Sequence, residues 1–225
     1  MTNTTQRQAR VSAYLEPKTD ELLRAFKDIG KVQQQVQKPR NRKLCDDLQV
    51  AIRRSGLKDG MTISFHHAFR GGDLTVNMVM QVIAEMGFRN LTLASSSLSG
   101  CHSPLVEHIR HGVIRKIYTS GIRGPLAEAI SRGELDEPVQ IHSHGGRANL
   151  VHNGELNIDV AFIGVPSCDE YGNANGYTGN ASCGSLGYAK IDAETAKKVV
   201  MLTEELLAYP HNPSSIKQDE VDYIV

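Results

Sequence analysis

The sequence predicts an α/β fold, a mostly parallel sheet flanked by helices. Short apolar runs typical of strands alternate along the chain with segments whose apolar residues recur at helical spacing. The connections between them are short, as in folds built from β-α-β units. The run 158–165 is almost continuously apolar, which is expected of a strand whose two faces are both covered.

The first half of the chain contains two predicted helices and two predicted strands. Apolar stripes at helical spacing, each followed by a glycine that can take the left-handed conformation, predict helices that end at Gly56 and Gly87. Apolar runs predict strands at 61–65 and 88–96. The two stripes consist of Leu44, Leu48, Ala51 and Ile52, and of Val76, Val79, Met80 and Ile83.

The second half continues the alternation. Ser103 and Pro104 predict the N-cap and first turn of one helix, and Pro125 opens another. Asp192 is the predicted cap of a further short helix. The predicted strands of this half are 113–120, 138–143, 158–165 and 199–203.

The composition excludes several classes of protein. Of the 225 residues, 40% are apolar and 22% charged, which is enough for a real core, and the formal net charge is zero. A neutral chain argues against a dedicated nucleic-acid or membrane-surface protein. No apolar run approaches the roughly 18 residues of a spanning helix. The four cysteines show no CxxC spacing, which favours a reduced, cytoplasmic protein.

The start of the chain differs from the rest in being polar, basic and rich in glutamine. We expect residues 1–40 to form an N-terminal extension and helical lead-in, and residues 41–225 to form the α/β domain. The chain closes on the apolar run VDYIV, which predicts a last strand and a longer parent protein.

Five loops that follow predicted strands are candidates for a functional site, because ligands bind beyond the carboxyl ends of strands in open α/β sheets. The first loop, at 66–73, contains His66 and His67, which are candidate acid–base or ligand groups. Gly71 and Gly72 lie just before a helix, where backbone N–H groups can face an anion. A structural turn with hydrogen-bonding histidines explains the same residues equally well.

The next three loops carry small or basic residues that suit a ligand. Small residues let a ligand approach the backbone closely, and arginine suits carboxylates and phosphates. The structural alternatives to ligand binding are turns whose polar groups hydrogen-bond within the chain and an arginine that is simply exposed on the surface. The candidate residues of these loops are Ser97, Gly100, Gly121, Arg123, Gly145 and Gly146.

The fifth loop follows the run 158–165 and has the layout of a binding loop. Its candidate residues are Asp169, Gly172, Asn173 and Asn175. Glycine and asparagine also serve turns that need a positive φ, so a structural turn is the alternative. In that case Asp169 mainly holds the turn by accepting hydrogen bonds from its backbone.

A nucleophilic cysteine and a metal site are two less favoured interpretations of the same loops. Cys168 is a candidate nucleophile, but a buried small hydrophobe is the commoner role of a cysteine. His142, His144 and His152 invite a zinc reading, yet their spacing lacks a matching carboxylate or cysteine pattern. Packing on one face of a strand explains His142 and His144 as well, and we predict no metal site.

Taken in order, the loops resemble those of the coenzyme A transferase superfamily. A strand followed by D-E-x-G-N is fairly specific to that superfamily. Within it, the paired histidines and the tracts HSHGGRA and CDEYGNANG are similar to the α subunit of citrate lyase. The resemblance covers residues from about 15 to 225 and rests on DGMTISFHHAFRGGD, LTLASSSLSG, IYTSGIRGPLAEAISRG, EPVQIHSHGGRA and IDVAFIGVPSCDEYGNANG.

The resemblance implies a citrate CoA-transferase subunit, which exchanges acetyl for citryl on the thioester of an acyl carrier subunit. It implies no cofactor bound by the chain itself, because the CoA-like prosthetic group, a dephospho-CoA derivative, belongs to the carrier. The implied partners are the β subunit, the acyl carrier γ subunit, citrate and acetate in an oligomeric complex, without nucleic acid or membrane.

The resemblance also implies roles for the candidate residues. Gly71 and Gly72 would approach the thioester or the pantetheine-like arm, and the loop from Asp169 to Asn175 would shape the acyl-exchange site. His66 or His67 would bind the carboxylates of citrate, with Arg123 and Arg147 as further candidates. The catalytic glutamate of covalent members lies in a second domain that this chain lacks, so no catalytic residue can be named.

Two other functions are compatible with the sequence. One is another carboxylate CoA-transferase or an acyl-CoA hydrolase on the same fold. The other is a non-catalytic docking domain of a lyase complex, and a metal-dependent hydrolase ranks behind both.

Overall fold

Seven parallel strands form one sheet in the part of the chain that the structure describes. The structure is a computed structural model, and it describes residues 43–66, 69 and 73–225. The strands of this sheet are β1 (Thr62–Phe65), β2 (Leu91–Ser95), β3 (Ile114–Thr119), β4 (Gln140–Ile141), β5 (Val160–Gly164), β8 (Lys198–Leu202) and β10 (Tyr223–Ile224). Their order across the sheet is β10-β8-β5-β1-β2-β3-β4, with β1 at the centre.

Six α-helices lie in the same described residues and alternate with the strands. They are α1 (Leu48–Ser55), α2 (Thr75–Glu85), α3 (Leu105–Arg110), α4 (Pro125–Ser131), α5 (His144–His152) and α6 (Tyr188–Thr195). The predicted α/β class with a mostly parallel, helix-flanked sheet is confirmed. None of these helices is long and apolar enough to cross a membrane.

The first two helices form where the apolar stripes predict them. Asp47 caps α1 by accepting a hydrogen bond from the Val50 N–H, and Gly56 ends the helix with φ 73°. The second stripe is wholly buried on α2. Burial of such a face, rather than helix propensity alone, is what stabilises short helices in proteins.

Two apolar clusters cover the two faces of the sheet. The larger cluster contains buried residues of α1, α2, α3 and α4, and the smaller one contains those of α5 and α6. Within the larger cluster, Phe65 of β1 and Phe162 of β5 stack with their ring centroids 5.5 Å apart. Both faces of the central strands are therefore covered, as the continuous apolar run of β5 predicts.

A second, smaller sheet follows β5 where the sequence predicts only a loop. Its strands are β6 (Ser167–Asp169), β7 (Ala174–Asn175) and β9 (Leu206–Leu207), in the order β7-β6-β9. Strands β6 and β7 form an antiparallel hairpin, and β9 pairs with β6 in parallel.

Four local predictions are wrong. The predicted strand 138–143 shortens to β4. The tract HSHGGR (142–147), which is predicted as the loop after that strand and contains Gly145 and Gly146, includes the start of α5, so His142 and His144 do not share a strand face. Asp192 lies inside α6 and does not cap it. Pro104, not Ser103, occupies the N-cap position of α3, and no side chain caps that helix. The predicted extension at 1–40 lies outside the described residues, and the domain boundary stays a prediction.

Candidate functional site

The sheet reverses its winding direction between β1 and β5. From β1 the chain moves through β2 and β3 to β4 on one side, and then crosses to β5 and β8 on the other. Ligands of open α/β folds bind at such a switch point, beyond the carboxyl ends of the strands. The candidate site is therefore the carboxyl edge where the connections leaving β1, β2, β3 and β5 meet.

The described residues of the connection from β1 to α2 lie along one side of this edge. His66 is buried directly after β1. Asp73 is buried at the other end, where its carboxylate accepts the Thr75 N–H at 3.0 Å and its carbonyl lies 3.0 Å from His102 Nε2. The candidates His67, Gly71 and Gly72 lie outside the described residues.

Gly164, the last residue of β5, lets Phe69 and Thr75 approach that strand closely. A Cβ at position 164 would lie 2.8 Å from Cε2 of Phe69 and 3.2 Å from Oγ1 of Thr75. Real Cβ atoms do not make contacts as short as the first of these, so any side chain here would displace Phe69. The side chain of Phe69 therefore packs directly against the carboxyl end of β5.

The connections that leave β2 and β3 run side by side and form a ledge. The Leu98 N–H donates to the Gly121 carbonyl at 2.9 Å, and the Arg123 N–H donates to the Leu98 carbonyl at 3.0 Å. A Cβ on Gly124 would lie 3.2 Å from Cα of Gly100, so the two turns are in close contact. The structure thereby brings together four predicted site residues, which are Ser97, Gly100, Gly121 and Arg123.

Arg123 is the exposed cation of this ledge. Its side chain is exposed, and its guanidinium makes no hydrogen bond or ion pair with another described residue. A guanidinium in this state keeps its five donors available for a carboxylate or phosphate. Arg123 therefore fits the predicted role in anion binding.

The tract that contains the neighbouring glycines Gly145 and Gly146 forms the start of helix α5. Gly145 and Gly146 form its first turn, and the Ser143 hydroxyl caps the helix by accepting the Gly146 N–H at 3.0 Å. A Cβ on Gly146 would lie 3.0 Å from that hydroxyl oxygen, whereas one on Gly145 would meet open space. Gly146 thus allows a tight cap, and Gly145 leaves the backbone of the first turn accessible.

Arg147, a further candidate for binding the carboxylates of citrate, is buried and paired within the domain, so its guanidinium does not face the candidate site. It is 1% exposed, and its guanidinium donates to the two carboxylate oxygens of Asp192 at 2.8 and 2.9 Å. It also donates to the Ala94 carbonyl at 3.4 Å. The pair ties α5 to α6 and to β2, so its charge is neutralised inside the domain.

The carboxylate of Asp169 holds the hairpin that follows β5. One oxygen accepts the N–H groups of Tyr171 and Asn173 at 2.9 and 3.0 Å. The other accepts the Asn173 side-chain amide at 2.8 Å and the His211 N–H at 2.9 Å. Asp169 accepts hydrogen bonds from four donors of the chain. It therefore holds the turn, which is the structural role predicted as the alternative to ligand binding.

The electrostatics of Asp169 agree with this role. Burial by itself raises the pKa of the carboxyl, but the hydrogen bonds from His211, Asn173 and Tyr171 outweigh burial, so the pKa of Asp169 is lowered. The carboxyl is ionised near neutral pH and is a poor proton donor.

The other candidates of this tract also use their polar atoms within the chain. The Asn175 side-chain oxygen accepts the N–H groups of Tyr177 and Thr178 at 2.9 and 3.0 Å, and its amide donates to the Pro213 carbonyl at 2.7 Å. Gly172 has φ 97°, and a Cβ there would lie 2.8 Å from Cβ of Val221. These residues determine where the hairpin lies, and through it they shape the edge above β5.

The interpretation of Cys168 as a nucleophile is not supported by its surroundings. Burial raises the pKa of the Cys168 thiol to about 12, and the charge of Asp169 adds to the rise, so no thiolate forms near neutral pH. Cys168 is a buried small side chain. Across residues 43–66, 69 and 73–225, no group of three His, Cys, Asp or Glu side chains is placed to hold a metal ion.

Two residues of the site were not found from the sequence. His102 and Asp73 meet although 29 positions separate them. A lone histidine after a serine-rich turn gives no local signal of such a contact. Spatial neighbours in an α/β sheet come from connections distant in sequence, so only the fold reveals the pair.

The architecture is that of the CoA-transferase fold class. Glutaconate CoA-transferase from Acidaminococcus fermentans superposes with a TM-score of 0.58 over 81% of this chain and 75% of that chain, at 15% identity. The malonate decarboxylase α subunit from Acinetobacter baumannii gives a TM-score of 0.60 at 17% identity, over 81% of this chain and 33% of that chain. At such identities the likeness shows the fold alone.

The chain belongs to the citrate lyase α subunit family, whose model, "Citrate lyase, alpha subunit (CitF)", matches residues 41–225. The citrate lyase alpha chain of Escherichia coli K12 is 72% identical over 98% of this chain and 43% of its own length. That of Haemophilus influenzae is 62% identical over 93% of this chain and 39% of its own length. The chain thus spans about two fifths of these relatives.

A solved structure of the same family shares the fold closely. The putative α subunit of citrate lyase from Streptococcus mutans, in complex with citrate, superposes with a TM-score of 0.82 at 51% identity. The match covers 84% of this chain and 37% of that chain. The resemblance stated from the loops is confirmed at the level of the family.

Proposed function

We propose that this chain forms part of a citrate CoA-transferase, which exchanges acetyl for citryl on a carrier thioester. The observation that carries the proposal is the family match over 41–225, with 72% identity to a citrate lyase alpha chain. The citrate bound to the Streptococcus mutans relative supports citrate as the substrate.

The exchange is balanced without an oxidant or reductant. Citrate and an acetyl thioester become a citryl thioester and acetate, so one C–S bond breaks and one forms at the same sulfur. The chemistry needs donors for a developing oxyanion and cations for the carboxylates of citrate. The edge of this sheet offers an exposed guanidinium on Arg123 and accessible backbone at Gly145.

The proposed roles follow from these placements. Arg123 holds a citrate carboxylate, and the ledge of small residues accepts the narrow thioester arm. The predictions for His66 and His67 as carboxylate ligands, and for Gly71 and Gly72 as neighbours of the thioester, belong to the same proposal. Asp169 acts indirectly, because it positions the hairpin above β5.

The partners and the cofactor are part of the proposal. The chain itself binds no cofactor and acts on the CoA-like group of the acyl carrier γ subunit, in an oligomeric complex that also contains the β subunit. A cytoplasmic location agrees with four cysteines that are all free.

An acyl-exchange assay tests the proposal. The enzyme is a chimaera in which this chain replaces the matched 43% of the Escherichia coli relative, assayed with citrate and either acetyl-carrier or acetyl-CoA. Mass spectrometry of the carrier follows the conversion of acetyl to citryl. Exchange that requires the carrier supports the proposal. Exchange only with acetyl-CoA indicates another CoA-transferase, and carrier binding without exchange indicates a docking domain, so either result overturns it.

The variant Arg123→Ala sharpens the assay. Hydrogen bonds to charged groups contribute about 1.5–3 kcal/mol, so we expect KM for citrate to rise by roughly 10- to 100-fold. Arg89→Ala is the matched control, because Arg89 is an exposed arginine that precedes β2, at the opposite edge of the sheet. Equal effects of the two variants would remove Arg123 from the site.

A further inference from the structure

His102 joins two connections of the candidate site. It lies at the end of the short 3₁₀ helix Gly100–His102, after β2, and is 2% exposed. Its Nδ1 accepts the Ser99 N–H at 2.9 Å, and its Nε2 lies 3.0 Å from the carbonyl of Asp73. One buried ring therefore bridges the connection after β2 and the end of the connection between β1 and α2.

The two partners determine where the proton of the ring lies. A backbone N–H faces Nδ1, so Nδ1 must be the acceptor, and a carbonyl faces Nε2, so Nε2 must carry the hydrogen. The ring is thus a neutral spacer with an acceptor on one side and a donor on the other. No other neutral side chain has both groups in this geometry.

The turn that carries His102 is itself held on two sides. The Asn77 amide of α2 donates to the Cys101 carbonyl at 2.8 Å. On the other side, a Cβ on Gly124 would lie 3.2 Å from Cα of Gly100, so the two turns pack closely there. The turn cannot shift freely, so it acts as a fixed support against which Asp73 is placed.

We infer that His102 is a positioning residue for acyl exchange, which sets the backbone of Asp73 and so the end of the connection that follows β1. The inference rests on the proposed function, in which that connection contacts the substrate. A buried carbonyl without a donor is unfavourable, so Asp73 moves toward another donor when the Nε2–H group is lost. A shift of about 1 Å in a positioned group can cost about 100-fold in rate.

Two substitutions separate the halves of the bridge. The glutamine side chain of His102→Gln places an amide N–H near the position of Nε2 and keeps the bond to Asp73. The amide oxygen in His102→Asn takes the place of Nδ1 and keeps only the bond to Ser99. Both variants lose one hydrogen bond of the ring, so a purely structural role predicts similar unfolding midpoints and similar exchange rates.

The test measures kcat, KM for citrate and the unfolding midpoint in the chimaera of this chain with the Escherichia coli relative. We expect His102→Gln to stay within about threefold of the parent in kcat, and His102→Asn to lose about 10- to 100-fold in kcat with KM little changed. His108→Gln, in a buried histidine of α3, is the matched control and should leave exchange unchanged.

The outcomes distinguish the inference from the function beneath it. An inactive parent chimaera refutes the proposed function. An active parent with equal exchange rates for the Gln and Asn variants refutes the positioning role. The role is also refuted if both variants lose exchange only in proportion to the folded protein that they lose. A rate loss confined to His102→Asn, in a folded enzyme, supports it.

Discussion

The substitution Asp169→Asn tests how far one carboxylate holds the hairpin that follows β5. The side chain has no exposed surface, and each of its oxygens accepts two N–H groups. An asparagine can place its amide oxygen at one of these two positions. Its NH2 group then points at the two donors that faced the other oxygen, from His211 and the side chain of Asn173.

The magnitude follows from those two donors. A buried donor left without an acceptor is unfavourable by about 1–3 kcal/mol. Two such donors predict a loss of roughly 2–6 kcal/mol in the free energy of unfolding, a large part of the stability of a typical domain. The control is Asp46→Asn, which removes the same charge from an exposed side chain and should change stability by less than about 0.5 kcal/mol.

Urea unfolding of the 225-residue chain, followed by circular dichroism at several pH values, measures the effect. The pKa of Asp169 is lowered in the folded state, so its contribution is present above the unfolded value of about 3.9. That contribution is lost as the pH falls through the folded pKa. The difference between the parent and Asp169→Asn should therefore shrink below about pH 4. A parent and variant with the same midpoint at pH 7 would refute the reasoning.

Three other substitutions or measurements probe the same architecture. Arg147→Met leaves the carboxylate of Asp192 buried and unpaired, and should lower the free energy of unfolding by about 3–5 kcal/mol. Replacing both partners, by adding Asp192→Leu, should restore much of the loss in the same urea titration, and no recovery would contradict this account. Gly172→Ala would place a side chain at a φ of 97° and bring its Cβ into a clash with Val221. The urea midpoint of unfolding should therefore fall clearly, and an unchanged midpoint would exclude the clash. Iodoacetamide at pH 8 should leave Cys168 unmodified in the folded chain, because burial raises the pKa of its thiol to about 12. Peptide mass spectrometry measures the modification, and rapid alkylation before unfolding would contradict the burial of Cys168.

Much of the fold could be predicted because its signals are local. The stripe from Val76 to Ile83 repeats at helical spacing, and the structure buries that face on α2. The apolar run around β5 lies near the centre of the sheet, covered on both faces. Such patterns report which face of each element is apolar, and that alone favours layers of helices on a parallel sheet.

The errors fall where a local pattern has two solutions. HSHGGR is predicted as a loop because it follows a predicted strand, yet Ser143 caps a helix there. The helix is held by tertiary contacts, among them the ion pair of Arg147 with Asp192. Tertiary packing outweighed the low helix propensity of glycine, a competition that the local sequence does not report.

The candidate site shows the same division. The loop motifs, taken in their order along the chain, were enough to identify the family. They follow successive strands whose carboxyl ends share one edge of the sheet. The motifs were not enough to identify the roles of individual residues, since glycine, asparagine and aspartate serve turns and ligands equally well. The contacts separate the two uses, as Asp169 accepts four donors from the chain while Arg123 remains exposed to solvent.

The sequence by itself determined the α/β class, the positions of the central strands and the family, because periodicity and loop motifs are written in neighbouring residues. Only the tertiary structure decided that Arg147 is neutralised by Asp192 and that His102 supports Asp73. These partners lie 45 and 29 positions apart in the chain. Hydrogen bonds and ion pairs act over a few ångströms in space, so such pairs exist only once the strands between them have assembled into the sheet.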